Sequence, residues 1–291
     1  MTESVSLTWR AAAAPMFGRR SVDESCAYIV AQIAAAARAG AQVVVFPENA
    51  TDSYQREPEA HRTAIERWLP EIEAAAGRAA GPWVVLGTYT YRGPRAYNSA
   101  LVIDPDGRTR GVYDKLSEGG ARWLLADIQG ARCVIMICAD FWVPGVLTIP
   151  RLLGAQVCLY PHGSGAVTAD RRDWSALYYT RAWESGLHLV MADCAWVEGA
   201  PFTRPTAVPY PYDFDHHLLN QSCLISPEPR YLARAMRDEQ DGLLVADLAI
   251  TPPPPDGGLQ CHALTGAWQA MLQYCQDHGH IAWLAQGGPS S

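Results

Sequence analysis

The sequence predicts a layered α/β fold, and three observations predict it. β-Branched runs such as QVVVF (42–46) and RCVIMIC (132–138) are apolar at almost every position. That is the pattern of strands buried on both faces rather than strands with one wet side. Segments of helical period alternate with those runs, the order that stacks helices on a sheet. Apolar residues make up 49% of the chain and charged residues 18%, enough for a large core and too apolar for a disordered chain.

Taken in order, Ser21-Val22-Asp23-Glu24 reads as a capping box that opens a helix. Val22, Cys26, Ile29, Val30, Ile33 and Ala37 form one face of it, and Gly40 is its stop. The strand QVVVF follows and ends at Pro47. Residues 59–80 are helical in composition, with a kink or split expected at Pro70. WVVLGTYTY and YNSALVID read as paired strands, and Pro105-Asp106-Gly107-Arg108 as a turn. RCVIMICAD is a further buried strand, and a short helix over 144–153 leads to the strand AQVCLYP. A helix over 169–186 carries Trp174, Tyr178 and Trp183, and LHLVMADC is the strand after it. QSCLIS, YLARAM and GLLVADLAI complete the expected sheet content, and the prolines of 252–255 close the domain.

The expected organisation is one domain over residues 1–255 and a C-terminal arm over 256–291, too short to be a domain of its own. LQCHALTGAWQAMLQYCQD in the arm reads as an amphipathic helix. The proline- and aromatic-rich stretch 199–217 is too long for a tight turn and reads as a lid over a pocket.

Composition also excludes partners. The formal charge of −7, with arginines spread rather than clustered, does not suit a phosphate backbone, so no nucleic acid is expected. No apolar run reaches the roughly 20 residues of a membrane span, and the N-terminus lacks the pattern of a signal peptide. The expected location is therefore cytoplasmic, with the eight cysteines reduced. None of them forms a CxxC pair. His216-His217 and His278-Gly279-His280 lack a second ligand pair, so neither a metal nor another cofactor is expected.

Three residues stand where chemistry is expected. Cys138 ends a strand just before Ala139 and a helix-starting segment, a turn that exposes a nucleophile with backbone N–H groups behind it. Cys133, five residues earlier, is expected on the opposite strand face. Glu48 follows the strand VVVF, at the end where open α/β sheets carry functional groups. Lys115 is the single lysine among 23 Lys and Arg, a compact and tunable charge that arginine does not replace. Each has an ordinary alternative: a buried inert thiol, a solvated acid, a leftover lysine. A Cys–His pair using His162 or His188 as base is another arrangement for Cys138, and it leaves Glu48 and Lys115 without a role.

The chain resembles the nitrilase (carbon–nitrogen hydrolase) superfamily. The resemblance rests on VVVFPENA around Glu48, YDKL around Lys115 and MICADFWVPGVLTIPRLLGAQVCLYP around Cys138, three blocks in the family's order. YNSALVIDPDGR, WSALYYTRAWESGLHLVMA and GLLVADL support it, and together the blocks span about residues 22–250. It implies a four-layer αββα sandwich, assembled as a homodimer or higher oligomer. It also implies a base at Glu48, an electrostatic clamp at Lys115 and a nucleophile at Cys138. The chemistry fits these types. A nearby ammonium favours the thiolate, and Lys115 with the Ala139 N–H can hold an oxyanion. Glu48 can shuttle the proton between thiol, leaving nitrogen and water, a task suited to a carboxyl whose pKa burial has raised.

The resemblance also shows departures. The family often carries a second glutamate between lysine and cysteine, and the loop LSEGGARWLL offers only Glu118, close to the lysine. The fourth residue after the cysteine, often arginine in relatives acting on N-carbamoyl amino acids, is Trp142. Gly145 replaces a common glutamate, Gln221 a glycine, and Pro227-Glu228-Pro229 the usual turn. Tyr54, Trp123, Trp142 and His162 are the candidate pocket walls. The expected activity is cleavage of a small linear amide or N-carbamoyl compound through a thioester, releasing ammonia. Nitrile hydrolysis or acyl transfer to an amine would use the same residues. A catalytically inactive scaffold of the same fold is the alternative of another class.

Overall fold

The computed structural model describes residues 6–17, 21–51, 58–78, 81–163, 175–195, 221–235, 242–251 and 265–284. Two sheets face each other. The first contains β1 (Leu7–Ala13), β3 (Val43–Val45), β4 (Trp83–Arg92), β5 (Arg95–Ile103), β6 (Thr109–Asp114) and β13 (Leu244–Ile250), in the order β13-β1-β3-β4-β5-β6. The second contains β7 (Trp123–Ile128), β8 (Ala131–Ile135), β9 (Val157–Gly163), β10 (His188–Ala195), β11 (Cys223–Ser226), β12 (Arg230–Arg234) and β14 (Ile281–Leu284). Its order is β12-β11-β10-β9-β8-β7-β14, and β2 (Met16–Phe17) adds to β10.

Strand alternation sorts the core into layers. On β3, Val43 and Val45 point between the sheets, where they join Trp9, Val85, Val102, Ile135 and Leu159. Val44 points the other way and packs with Ile29, Ile33 and Ile72 of α1 (Val22–Arg38) and α2 (Pro58–Gly77). The Trp9 indole N–H crosses between the sheets to the Ile128 carbonyl at 3.1 Å. On the far side α3 (Thr148–Leu152) and α4 (Ser175–Ser185) lie over the second sheet, where Tyr178 and Ala182 of α4 are buried in the same core. The arrangement is a four-layer αββα sandwich.

Helix α1 starts where the capping box places it, with the Ser21 hydroxyl accepting the Glu24 N–H at 3.1 Å. It stops at Gly40, whose φ of 69° suits glycine. Several expectations need correction. Pro70 does not split α2, which runs through it from Pro58 to Gly77. The last three residues of the loop LSEGGARWLL are strand, because Trp123 starts β7, and β1 adds an N-terminal strand to the expected sheet content. The sheet content does not end at GLLVADLAI: β14, beyond the prolines, pairs in parallel with β7, Ile281 opposite Trp123. The arm's helix is α5 (Thr265–Asp277), so the arm completes the second sheet. Cys133 and Cys138 are not two faces of one strand, since β8 ends at Ile135 before Cys138. Trp174, Tyr54 and the expected lid over 199–217 lie outside the described residues.

Candidate active site

Glu48 sits on the segment that leaves β3 and ties the two sheets together. Phe46 N–H reaches the Val85 carbonyl of β4 at 2.8 Å, and Glu48 N–H reaches the His162 carbonyl of β9 at 3.1 Å. Asn49, next in line, has a φ of 53°, so the chain turns sharply here and the Glu48 side chain is left buried, 3% exposed. Lys115 follows β6 directly, and its N–H is held by the Asn98 carbonyl of β5 at 2.9 Å. Its ammonium lies 2.7 Å from Glu48 Oε1 and 2.7 Å from Glu118 Oε1. The Asn98 side-chain amide completes the cluster, donating to Glu48 Oε1 at 2.6 Å and Glu118 Oε2 at 3.3 Å.

Lys115 is buried, which by itself would lower its pKa. The charges of Glu48, Cys138 and Glu118 outweigh that burial and hold the amine above its ordinary value, fully protonated. The Glu118 carboxylate stays half exposed, with the lysine as its inner partner.

Cys138 opens a short 3-10 turn (Cys138–Trp142) with a φ of 41°. A non-glycine residue in that region is strained, and the surrounding contacts must hold it there. Tyr160 on β9 donates its hydroxyl to the Cys138 carbonyl at 2.6 Å, and the Cys138 thiol meets the Gly163 carbonyl at 3.4 Å. Buried Asp140 fixes the other side of the turn. It accepts Ile137 N–H at 3.0 Å, Ser117 N–H at 2.8 Å and the Tyr113 hydroxyl at 2.7 Å. One carboxylate thus joins the cysteine turn to the segment that follows Lys115. Burial raises the Asp140 pKa, while those hydrogen bonds favour its charged form.

His162, a candidate pocket wall, is buried between Asp193 and Tyr178. Its Nδ1 lies 2.8 Å from Asp193 Oδ1 and its Nε2 lies 3.1 Å from the Tyr178 hydroxyl. Burial works against its charge, but Cys138 and Asp193 outweigh burial and push the pKa up to about 10. Trp123 packs against the core and donates its indole N–H to the Val146 carbonyl at 3.1 Å. Trp142 is exposed, Ala139 half-buried beside Cys138, and Gln221 buried with its N–H on Asp193. His188 is buried away from these groups, on the Ala249 carbonyl, and takes no part in the cluster. His278 and His280 in the arm each give Nδ1 to a backbone carbonyl, Tyr274 and Ala121 respectively.

The structure therefore gathers Glu48, Lys115, Glu118 and Cys138 from three segments, Lys115 and Glu118 sharing one. Sequence reasoning missed Asn98, Asp140 and Asp193. The signal for Asp193 was present: an acid inside the apolar run LHLVMADC is buried and in need of a partner. Asn98 and Asp140 carried no comparable sign.

Comparison with known proteins gives the family. The profile of the carbon-nitrogen hydrolase family matches residues 11–251. A nitrilase from Pyrococcus abyssi is 27% identical over 232 residues, covering 74% of this chain and 80% of that protein. A citrullinase from Francisella tularensis is 25% identical over 163 residues, 49% of this chain and 57% of that protein. Among solved structures, an amidase from Nesterenkonia sp. superposes with a TM-score of 0.70 at 19% identity, covering 89% of this chain and 96% of that one. A variant of the Nesterenkonia sp. AN1 amidase carries the acetamide moiety of fluoroacetamide at its active-site cysteine, with a TM-score of 0.69, 19% identity, and coverage of 83% and 90%. The chain belongs to the carbon-nitrogen hydrolase family, within the nitrilase superfamily, and is a hydrolase of non-peptide carbon–nitrogen bonds.

Proposed function

We propose that this enzyme is an amidase-type hydrolase of a small linear amide or N-carbamoyl compound, working through a thioester on Cys138 and releasing ammonia. The observation that carries the reading is the Lys115 ammonium, buried between Glu48 and Glu118 at 2.7 Å from each and close enough to Cys138 to feel its charge. Glu48 takes the thiol proton, and the thiolate attacks the carbonyl carbon. The oxyanion forms against Lys115 and the Ala139 N–H, and loss of one such donor costs about 10²–10³ in rate. As the tetrahedral intermediate collapses, Glu48 passes its proton to the departing nitrogen. The same carboxylate then removes a proton from water as it attacks the thioester, and the acid leaves. Asn98 and Glu118 orient Glu48 and Lys115.

The amidase reading is supported by the neighbour that bears an acetamide moiety on its cysteine. Trp142, Val143 and Trp183 are exposed apolar side chains, and assembly of two or more copies, part of this reading, could cover such residues. Light scattering reads the subunit number. The deciding experiment is intact-protein mass spectrometry with a panel of small amides, N-carbamoyl compounds and nitriles, wild type beside Cys138→Ala, with ammonia assayed in parallel. Ammonia release with a Cys138-dependent adduct is the expected result and weighs the acyl group directly. Silence across the panel, with Cys138 no more reactive than the buried cysteines, overturns the reading in favour of a scaffold.

A further inference from the structure

Glu48 and Lys115 approach Cys138 from the first sheet. The second sheet carries a histidine–acid pair beside the strand residues that contact Cys138, and the proposed mechanism leaves both unused. His162 and Asp193 are register partners on the adjacent parallel strands β9 and β10, so the ladder itself sets them side by side. Asp193 is fully buried. Its Oδ1 faces His162 Nδ1 at 2.8 Å, and its Oδ2 accepts the Gln221 N–H at 2.9 Å. A carboxylate taken wholly out of water is stable only with a paired charge and filled hydrogen bonds, and a protonated His162 supplies the charge.

The rest of the geometry aims that ring at the cysteine. Tyr160, two residues before His162 on the same strand face, pins the Cys138 carbonyl at 2.6 Å. Gly163, the next residue, receives the Cys138 thiol on its carbonyl at 3.4 Å. The Cys138 sulfur lies close enough to His162 for its charge to favour the protonated ring. With Nδ1 committed to Asp193, Nε2 is left for the sulfur and for the Tyr178 hydroxyl, 3.1 Å away.

We propose that His162, held protonated by Asp193, is a further catalytic residue that donates a hydrogen bond from Nε2 to the Cys138 thiolate. The proposal rests on Cys138 being the nucleophile. His162 does not take the thiol proton, which goes to Glu48; it keeps its own and stands as a second cation beside the sulfur, opposite Lys115. Its bond is strongest when sulfur is negative. It therefore favours the thiolate before attack. It acts again when the second tetrahedral intermediate collapses, breaking the carbon–sulfur bond and returning the electron pair to sulfur. The charged and titratable groups facing this sulfur and ring are Glu48 after β3, Lys115 after β6, Glu118 in the turn that follows, Asp140 in the cysteine turn, Tyr160 on β9, Tyr178 on α4 and Asp193 on β10.

The test reads sulfur ionisation without any substrate. The rate of Cys138 alkylation by iodoacetamide, assigned by peptide mass spectrometry, is measured against pH for wild type, His162→Gln, Asp193→Asn and, as a control at a remote buried histidine, His188→Gln. Loss of one of two cations moves the midpoint up by about one pH unit and slows alkylation about tenfold at pH 6. Asp193→Asn shifts it the same way, and His188→Gln leaves it in place. A His162→Gln profile that coincides with wild type, while wild-type Cys138 reacts fastest of the eight cysteines, overturns this proposal alone. A wild-type Cys138 as slow as the buried cysteines overturns the nucleophile reading with it. A second measurement needs no variant: ¹⁵N NMR of the eight histidine rings at pH 8. One ring is expected doubly protonated, with shifts that respond to Cys138 alkylation. Eight neutral rings at that pH overturn the proposal.

Discussion

Gly163→Ala tests how tightly the position of Glu48 matters. A Cβ added at Gly163 would lie 2.8 Å from Glu48 Oε2, nearer than side chains approach, while the Glu48 Cβ and Cδ at 3.5 and 3.6 Å are in ordinary contact. The colliding atom is the far end of a side chain, so the backbone has no need to move. Oε1 is not free to follow, because Lys115 holds it at 2.7 Å and Asn98 at 2.6 Å. The carboxylate must pivot about Oε1 by roughly 0.5 Å, and displacements approaching 1 Å cost on the order of 10²-fold, which sets the expected loss in kcat/KM at about 10–100-fold. Stability changes little. Overpacking costs about 1 kcal/mol here, and the stiffer unfolded chain offsets about half of it.

Gly87→Ala is the contrast. Its Cβ would fall 2.0 Å from the Pro47 carbonyl oxygen, a backbone atom, so that variant should lose both folding and activity. The assay is ammonia release under kcat/KM conditions on the best substrate of the panel, with thermal melts of each variant. Gly163→Ala with wild-type kcat/KM and an unchanged Tm would refute the reasoning, since Glu48 could not then be a base confined by that wall.

Three further outcomes follow from the same geometry. Lys115→Arg slows iodoacetamide labelling of Cys138, because the broader guanidinium cannot fill the site between Glu48 and Glu118; equal labelling rates would remove the lysine's proposed role. Asp140→Asn turns an amide N–H toward groups that can only donate, costing about 2 kcal/mol, or about 4–8 °C in Tm, and loosens Cys138 and Lys115 together. An unchanged melt would mean that Asp140 does not couple the two turns. His188 concerns acid stability. Burial holds its pKa below the ordinary 6.5, so the unfolded chain binds its proton first as pH falls. The stability it leaves intact above pH 6.5 is lost below that value, through the lower folded pKa. His188→Gln should therefore lose less stability than wild type between pH 7 and 5 in urea titrations; parallel curves would contradict the assignment.

Much of the fold was legible because its signals are local. The Ser21 cap, the Gly40 stop and the alternation of Val43, Val44 and Val45 are written within a few residues of where they act. Strands β1, β7 and β14 were not, since WLLADI and IAWL are short runs whose strand character comes from a neighbour's ladder. Pro70 misled because a single proline is weighed locally, whereas Ile72 and Ala76 keep α2 packed in the core.

The sequence by itself determined which residue types stand at strand ends: Glu48 after β3, Lys115 after β6 and Cys138 after β8. The tertiary structure alone decided what surrounds them. Asn98 reaches Glu48 because β5 lies between β4 and β6, and His162 meets Asp193 because two parallel strands pair in that register. The left-handed turn at Cys138 is held by Tyr160 from another strand. Such contacts join residues tens of positions apart. A local pattern carries no record of register, so the partners of a charge become visible only when the sheets close on each other.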